Sequence, residues 1–284
     1  MTVKYKTKMR IKDIYGRLFL LPAICILLSN CTQGELFEHD STKDSCIIIS
    51  CAGVTEMATR AIINNKLAGT EAEHAEMSVW IESANEKYNA ENIKWSHNGK
   101  NWISATPVLF QGANKQQICA IYPYSVNADM ENGITIKAEA QTDYLIAKKT
   151  NIGQNPVNLT MTHALAKLVL QPTFGNEMEG IGIKSVEVQN MYASGTLKIT
   201  DNTWSSLGEK NKTLAMTDNE VLVIPMSNCT SFPLVITMEN GRKFKADIPL
   251  SNNGNALEAG IKYTIKLQIG ANNVKSCAVT ALVM

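Results

Sequence analysis

Ser231-Phe-Pro-Leu-Val-Ile-Thr-Met-Glu-Asn-Gly-Arg-Lys-Phe-Lys-Ala-Asp-Ile-Pro249 reads as two strands and the turn that joins them. Phe232, Leu234, Ile236 and Met238 fall on alternate positions before Asn240-Gly241, and Phe244, Ala246 and Ile248 do so after it. A period of two puts each set on one face of an extended chain. Asn-Gly suits a type I′ hairpin, because both residues tolerate positive φ. The dipeptide recurs at Asn98-Gly99, Asn132-Gly133 and Asn253-Gly254. Outward from this hairpin, Ile134, Ile136 and Ala138 alternate with Thr135, Lys137 and Glu139, and Tyr263, Ile265, Leu267 and Ile269 alternate with Thr264, Lys266 and Gln268. Further short apolar runs occupy 77–81, 118–122, 165–170, 186–188 and 221–224. A helical period is nearly absent; 55–72 is rich in Ala, Met and Glu, but its apolar stripe is poor. The pattern predicts an all-β chain of half-buried antiparallel strands packed as β-sandwiches.

The chain has 284 residues, 45% apolar and 19% charged, with a net charge of +1. That is charge-poor against about 25% for a typical domain, yet too apolar for a disordered chain. Near-neutrality gives no electrostatic footprint for nucleic acid. The charge is unevenly spread: residues 1–17 hold six of the 27 bases and one of the 26 acids. The basic segment precedes Leu18-Phe-Leu-Leu-Pro-Ala-Ile-Cys-Ile-Leu-Leu28, eleven apolar residues, about 17 Å long as a helix. A bilayer core needs about 20 residues, so residues 1–30 read as a secretory signal peptide. Leu28-Ser29-Asn30-Cys31 resembles a bacterial lipobox, with Asn30 where Gly or Ala is usual. On that reading Cys31 is the lipidation site, carrying acyl chains such as palmitate, and residues 31–45 are a lipid-anchored tether. Each buried CH₂ strengthens such an anchor by about 0.8 kcal/mol.

Beyond Cys25 and Cys31 five cysteines remain: Cys46, Cys51, Cys119, Cys229 and Cys277. An odd set in an exported chain cannot all pair internally. Cys46 and Cys51 flank Ile-Ile-Ile-Ser, and on a strand they stand roughly 16 Å apart on opposite faces. A disulfide needs Cα atoms about 4.4–6.8 Å apart. The thiols are expected to act as buried small apolar residues.

The polar, turn-rich stretch Thr150-Asn-Ile-Gly-Gln-Asn-Pro156 divides the body into an N-terminal sandwich over 46–157 and a C-terminal sandwich over 158–284. Each has an ordinary domain size. Motifs for chemistry are scarce. Gly180-Ile-Gly-Ile-Lys184-Ser185 lacks the spacing that lets a glycine loop and its Lys converge on one phosphate. Asn127-Ala-Asp129-Met-Glu131-Asn-Gly133 has alternating oxygen ligands, but its Gly falls one position late and its twelfth position is Ala138, so a plain hairpin turn is expected. The four His are scattered, and G-x-S-x-G is absent. His163 reads as a strand-edge or packing residue. Trp95 and Trp102 bracket Asn98-Gly99, where they can pack across the hairpin or, with Tyr124, form an aromatic platform for sugars. No nucleophile, base and orienting group assemble from sequence neighbours. The expectation is a non-enzymatic protein without cofactor or metal; a cleft with two close carboxylates would reopen a hydrolase reading.

Several segments in order resemble the Bacteroidales-type fimbrillin family: Thr59-Arg60-Ala61, Met77-Ser-Val-Trp80-Ile, Ala120-Ile-Tyr-Pro-Tyr-Ser125, Met161-Thr-His-Ala-Leu-Ala-Lys-Leu168, Val221-Leu-Val-Ile-Pro225 and Ala259-Gly260-Ile-Lys-Tyr263-Thr-Ile. The likeness spans most of 47–270. It implies two transthyretin-like β-sandwich domains in tandem, exported as a lipoprotein to the outer membrane and built into a fimbrium as a stalk, tip or anchor subunit. It also implies assembly by donor strand exchange. A trypsin-like protease removes an N-terminal strand after an Arg, and an extended segment of the next subunit fills the groove. Arg60-Ala61 matches the cleavage position. The displaced strand would contain Ile47, Ile48 and Ile49, an uncharged run of high β propensity that is an aggregation hazard when bare. The opposing reading makes Arg60 an ordinary exposed Arg and the Ile run a permanent core strand. The C-terminal stretch Val274-Lys-Ser-Cys-Ala-Val-Thr-Ala-Leu-Val-Met284 is short and lacks the family's Trp. It reads either as a donor strand, with Val279, Ala281 and Val283 on one face, or as a closed last strand.

The expected function is thus a structural fimbrial subunit, stalk or tip, supporting adhesion. Its expected partners are other fimbrial subunits, a host or bacterial surface ligand, and the lipid anchor during export, with no nucleic acid. The alternative is a non-polymerising surface lipoprotein that binds glycans or host ligands.

Overall fold

Alternation of β-branched or aromatic residues with polar ones favours extended backbone with one face buried. The computed structural model, which describes residues 45–54, 62–63, 66–67, 75–178 and 180–284, is built from such strands, and among the described residues the only helical pieces are single 3₁₀ turns. Phe232, Leu234, Ile236 and Met238 are buried, as are Tyr263, Ile265, Leu267 and Ile269. Within 55–72, Ile62–Ile63 and Lys66–Leu67 are short strands paired with each other.

Seven strands close into a ring. In order round it they are Val157–His163, Leu145–Lys149, Gln116–Tyr122, Glu76–Ser83, Ala90–His97, Trp102–Ser104 and Ile49–Val54, and the last pairs back onto the first. The inward side chains form one cluster that includes Ile49, Met77, Val79, Trp95, Ile118 and Leu159. A closed ring leaves no free edge, which removes the tendency of edge strands to pair with other chains.

The rest of the chain makes two four-stranded sheets face to face. One runs Glu220–Val223, Ala166–Phe174, Ile261–Ile269, Val274–Val283; the other runs Lys212–Ala215, Ile183–Met191, Ser231–Met238, Lys243–Pro249. Their inner faces meet in a second cluster around Leu168, Val188, Leu234, Ile236, Ile265 and Leu267. A small sheet of Ile134–Lys137, Ser194–Lys198 and Thr203–Ser205 carries a third cluster, with Trp80, Ile121, Ile136 and Leu197.

Three features depart from the sequence expectations. Two pairings are parallel: Ile49–Val54 beside Val157–His163, and Ala166–Phe174 beside Ile261–Ile269. Their partners are about a hundred residues apart in sequence, so long crossovers rather than hairpins join them, and crossovers permit parallel pairing. The four Asn-Gly turns are not type I′, because only the Gly of each has positive φ. At Asn240-Gly241 the Gly241 N–H donates to Met238 O at 2.9 Å and Met238 N–H to Arg242 O at 2.8 Å, a type I turn followed by a glycine in the left-handed region. The strands of the N-terminal body are hydrogen-bonded in one continuous ring rather than in two separate sheets. The C-terminal stretch is a closed last strand, antiparallel to Ile261–Ile269 along its length.

Candidate functional site

The run Cys46-Ile-Ile-Ile-Ser50 has β-branched residues at three successive positions, which hold the backbone extended. The extended ribbon lies between the stretch 102–110 and the strand Val157–His163. On one side Ile47 N–H donates to Val108 O and Phe110 N–H donates to Ser45 O, both at 2.7 Å. Ile49 pairs with Trp102. On the other side Val157 N–H donates to Ile48 O at 2.7 Å. From there the ribbon runs parallel to its neighbour, Ala52 opposite Leu159 and Val54 opposite Met161, after a register shift between Ile49 and Cys51. Ser50 Oγ donates to Asn158 Oδ1 at 2.6 Å.

Alternation decides which side chains carry the insertion. Ile47 is 5% exposed and Ile49 0%, while Ile48 between them is half-buried. Full burial of each inward Ile is worth about 1.5–3 kcal/mol. Both belong to the buried apolar cluster that also holds Trp95, Trp102, Leu159 and Met161.

Asn155 is a functional residue that the sequence reading passed over. Its side chain does for the ribbon what a strand backbone would do. Oδ1 accepts from Ile48 N–H at 2.8 Å, and Nδ2 donates to Cys46 O at 2.7 Å. The primary amide sets a donor NH₂ and an acceptor oxygen side by side in one plane, so it caps the gap where Val157–His163 has not yet begun. The only sequence signal was an Asn in a turn-rich stretch, which has no link to a ribbon 107 residues away.

Of the sequence-predicted site residues, Ile47, Ile48 and Ile49 come together in this groove. Cys31, Arg60 and Ala61 lie outside the described residues. Trp95 and Trp102 are 1% and 2% exposed, so they build the core and offer no sugar platform. They also do not face each other across the hairpin: Trp95 is opposite Ser104, and Trp102 is opposite His97, whose ring meets it edge-on at 5.2 Å. Tyr124 is half-buried beneath Lys94 Nζ, 5.6 Å from its ring centre. The thiols of Cys46, Cys119, Cys229 and Cys277 are free. Cys119 and Cys229 are buried, as expected, and burial pushes both thiols above the usual range. Cys46 is exposed instead, since it sits at the ribbon's open end. Asp129 serves a turn: its Oδ1 accepts from the N–H of Asn132 and Glu131, and those bonds hold the carboxyl below its usual range. His163 is fully buried, with Nδ1 2.9 Å from Asp143 Oδ1. A cleft lined by Asp143 and Glu220 holds two carboxylates, and both are engaged, Asp143 with His163 and Glu220 with Lys167.

A family model described as fimbrillin-like matches residues 59–281. No curated protein matches the chain. Among solved structures, a proposed cell adhesion protein from Bacteroides uniformis shares 18% identity and a TM-score of 0.64, over 84% of this chain and 98% of that one. A second from Bacteroides ovatus shares 16% and 0.62, over 84% and 96%. The tip fimbrial protein Mfa3 from Porphyromonas gingivalis, with a C-terminal truncation, shares 9% and 0.56, over 85% and 100%. At these identities the likeness is one of fold.

Proposed function

The chain belongs to the fimbrillin-like family, and from that premise we propose that it is a non-enzymatic structural subunit of a bacterial surface fimbria, joined to its neighbours by donor strand exchange. One observation carries the reading: the ribbon that holds Ile47, Ile48 and Ile49 lies between the segment 108–110 and the strand Val157–His163, hydrogen-bonded to both, with Ile47 and Ile49 buried in an apolar cluster. A stave of this kind can leave and be replaced by another extended segment with apolar residues at alternate positions, because backbone hydrogen bonds are blind to sequence and the pocket asks only for shape. Cleavage after Arg60, before Ala61, would release it. Ring and sandwich are then two transthyretin-like domains in tandem, with the seam drawn after His163 rather than at the expected 157/158, a choice supported by the pairing of Val157–His163 with Ile49–Val54 and Leu145–Lys149. Lipidation at Cys31 would carry the subunit to the outer membrane before assembly.

The test is a processing experiment. Intact protein is expected to stay monomeric, and complete cleavage with an Arg-specific protease to give oligomers that survive dilution. Arg60→Ala is expected to block both. Monomers after complete cleavage would overturn strand exchange. Cys31→Ala is expected to abolish incorporation of labelled palmitate.

A further inference from the structure

In the hairpin between Ala90–His97 and Trp102–Ser104, the Gly99 N–H donates to His97 Nδ1 at 3.2 Å. A backbone N–H can only donate, so this ring nitrogen presents its lone pair there. The ring is held in place, since it meets the buried Trp102 edge-on at 5.2 Å. The neighbouring side chain is equally fixed. Asn98 Oδ1 accepts from Lys100 N–H at 3.0 Å and from Asn101 N–H at 2.8 Å, and Asn98 N–H donates to Asn101 O at 3.0 Å. Asn98, Gly99 and Lys100 are exposed, so water reaches the turn.

These contacts supply the parts of an acyl transfer within the chain. The electrophile is Cγ of the Asn98 amide. The nucleophile is the backbone nitrogen of Gly99, tethered close enough to Cγ to close a small ring. Gly99 has no Cβ to crowd the approach. A backbone amide nitrogen is a poor nucleophile until its proton leaves, and His97 Nδ1 stands where that proton points. As the nitrogen attacks, charge develops on Asn98 Oδ1, and the N–H groups of Lys100 and Asn101 already point at that atom. Two other Asn-Gly turns lack the base. Gly133 N–H is spent on Asp129 O and Gly241 N–H on Met238 O, both at 2.9 Å, and a carbonyl oxygen takes no proton.

We propose that Asn98 is a self-modification site, at which His97 promotes conversion of the side-chain amide into a carboxylate. Gly99 N bonds to Asn98 Cγ and gives its proton to His97 Nδ1. The tetrahedral carbon then expels Nδ2, which takes that proton and leaves as ammonia, and a cyclic imide remains. Water opens the imide at either carbonyl, giving an aspartyl or an isoaspartyl residue in place of Asn98. One water is consumed and one ammonia released, with no oxidation or reduction. The product puts a negative charge in the turn beside Lys100, and the isoaspartyl branch also lengthens the backbone that joins the two strands. The assignment goes beyond the structural role above and does not depend on it, because every participant lies between His97 and Asn101.

The experiment ages the intact, unprocessed chain at neutral pH in heavy-oxygen water and follows the Asn-Gly sites by peptide mapping and mass spectrometry. Label uptake separates new conversion from any acid present at the start. Conversion at Asn98 is expected to be at least about tenfold faster than at Asn240, which is also exposed. In guanidinium chloride, which removes the fold, the two sites are expected to react at similar rates. His97→Phe keeps a ring against Trp102 but has no lone pair, and His97→Asn keeps an acceptor that is not a base. Each is expected to bring Asn98 down to the Asn240 rate. The comparison with denaturant needs no variant and decides the matter if both substitutions misfold. Equal rates at Asn98 and Asn240 in the folded chain, the same ratio in guanidinium chloride as in buffer, or an undiminished Asn98 rate in folded His97→Phe would each overturn the assignment.

Discussion

Ile49 stands opposite Val157 in the parallel register between the early ribbon and the strand Val157–His163, and both side chains are 0% exposed. The pair joins positions more than a hundred residues apart at the point where the ring closes. Ile49→Ala removes apolar atoms from a pocket that the surrounding strands cannot collapse to fill, and a loss of about 2–5 kcal/mol is expected. Urea denaturation should show the shift in midpoint with little change in slope. A loss below about 1 kcal/mol would mean that the ribbon is not part of the closed fold.

Acid should weaken a specific fastening of the last strand. Glu177, in the 3₁₀ turn after Ala166–Phe174, has Oε1 2.5 Å from Lys275 Nζ on Val274–Val283. The hydrogen bond from Lys275 is the first cause that pushes its carboxyl down to about 2 from 4.5. A depressed folded value means that the stabilisation is complete above the unfolded value and fades as pH falls from about 4.5 towards 2. The pair is exposed, so salt should screen it and its share should be small. Glu177→Gln is expected to flatten the part of the stability-pH curve in that window, by lowering stability slightly above about pH 4.5 and leaving it nearly unchanged near pH 2. An NMR titration midpoint for Glu177 near 4.5 would refute the pairing.

Gly133 and Gly241 offer a matched comparison of glycine roles. Both have positive φ, +80° and +83°. At Gly241 a Cβ would meet nothing within 4 Å, whereas at Gly133 it would come 2.3 Å from Leu197 O, in the strand that pairs with Ile134–Lys137. Gly241→Ala should therefore cost only the left-handed penalty, about 1 kcal/mol. Gly133→Ala should cost that plus the clash, about 2–4 kcal/mol, and loosen the small sheet. Equal melting temperatures for the two variants would contradict the close approach.

The legible parts of the fold were those written locally. Alternation at 232–238 and 263–269 and the turns at Asn98-Gly99 and Asn240-Gly241 mark strands and hairpins, because period and turn chemistry act between near neighbours. What could not be read was who pairs with whom over distance. Nothing in Cys46-Ile-Ile-Ile-Ser50 states that its neighbours are Val108 and Val157, nor that the pairing with the second is parallel. The candidate site divided the same way. Ile47 and Ile49 announced themselves as an uncharged β-branched run, but burial of Trp95 and Trp102 removed a platform that spacing had allowed. Asp143 gained meaning only when the fold set it against His163.

Asn155 is the residue by which the fastening of the ribbon can be measured. Its amide accepts from Ile48 N–H and donates to Cys46 O, so Asn155→Ala breaks two hydrogen bonds and leaves the apolar contacts of Ile47 and Ile49 in place. Each bond contributes about 0.5–1.5 kcal/mol net, so opening of the ribbon's first residues should become easier by about 1–3 kcal/mol. Under native conditions the amides of Ile47 and Ile48 are then expected to exchange with solvent about tenfold to a hundredfold faster, while Val79, in the middle of the ring, keeps its protection. Local opening without global loss is the behaviour a replaceable stave requires. The same variant, once cleaved after Arg60, is expected to release the ribbon and take up a donor segment sooner than the parent protein does. If both amides keep their parental exchange rates, Asn155 is a bystander, and the ribbon is held by its buried side chains alone.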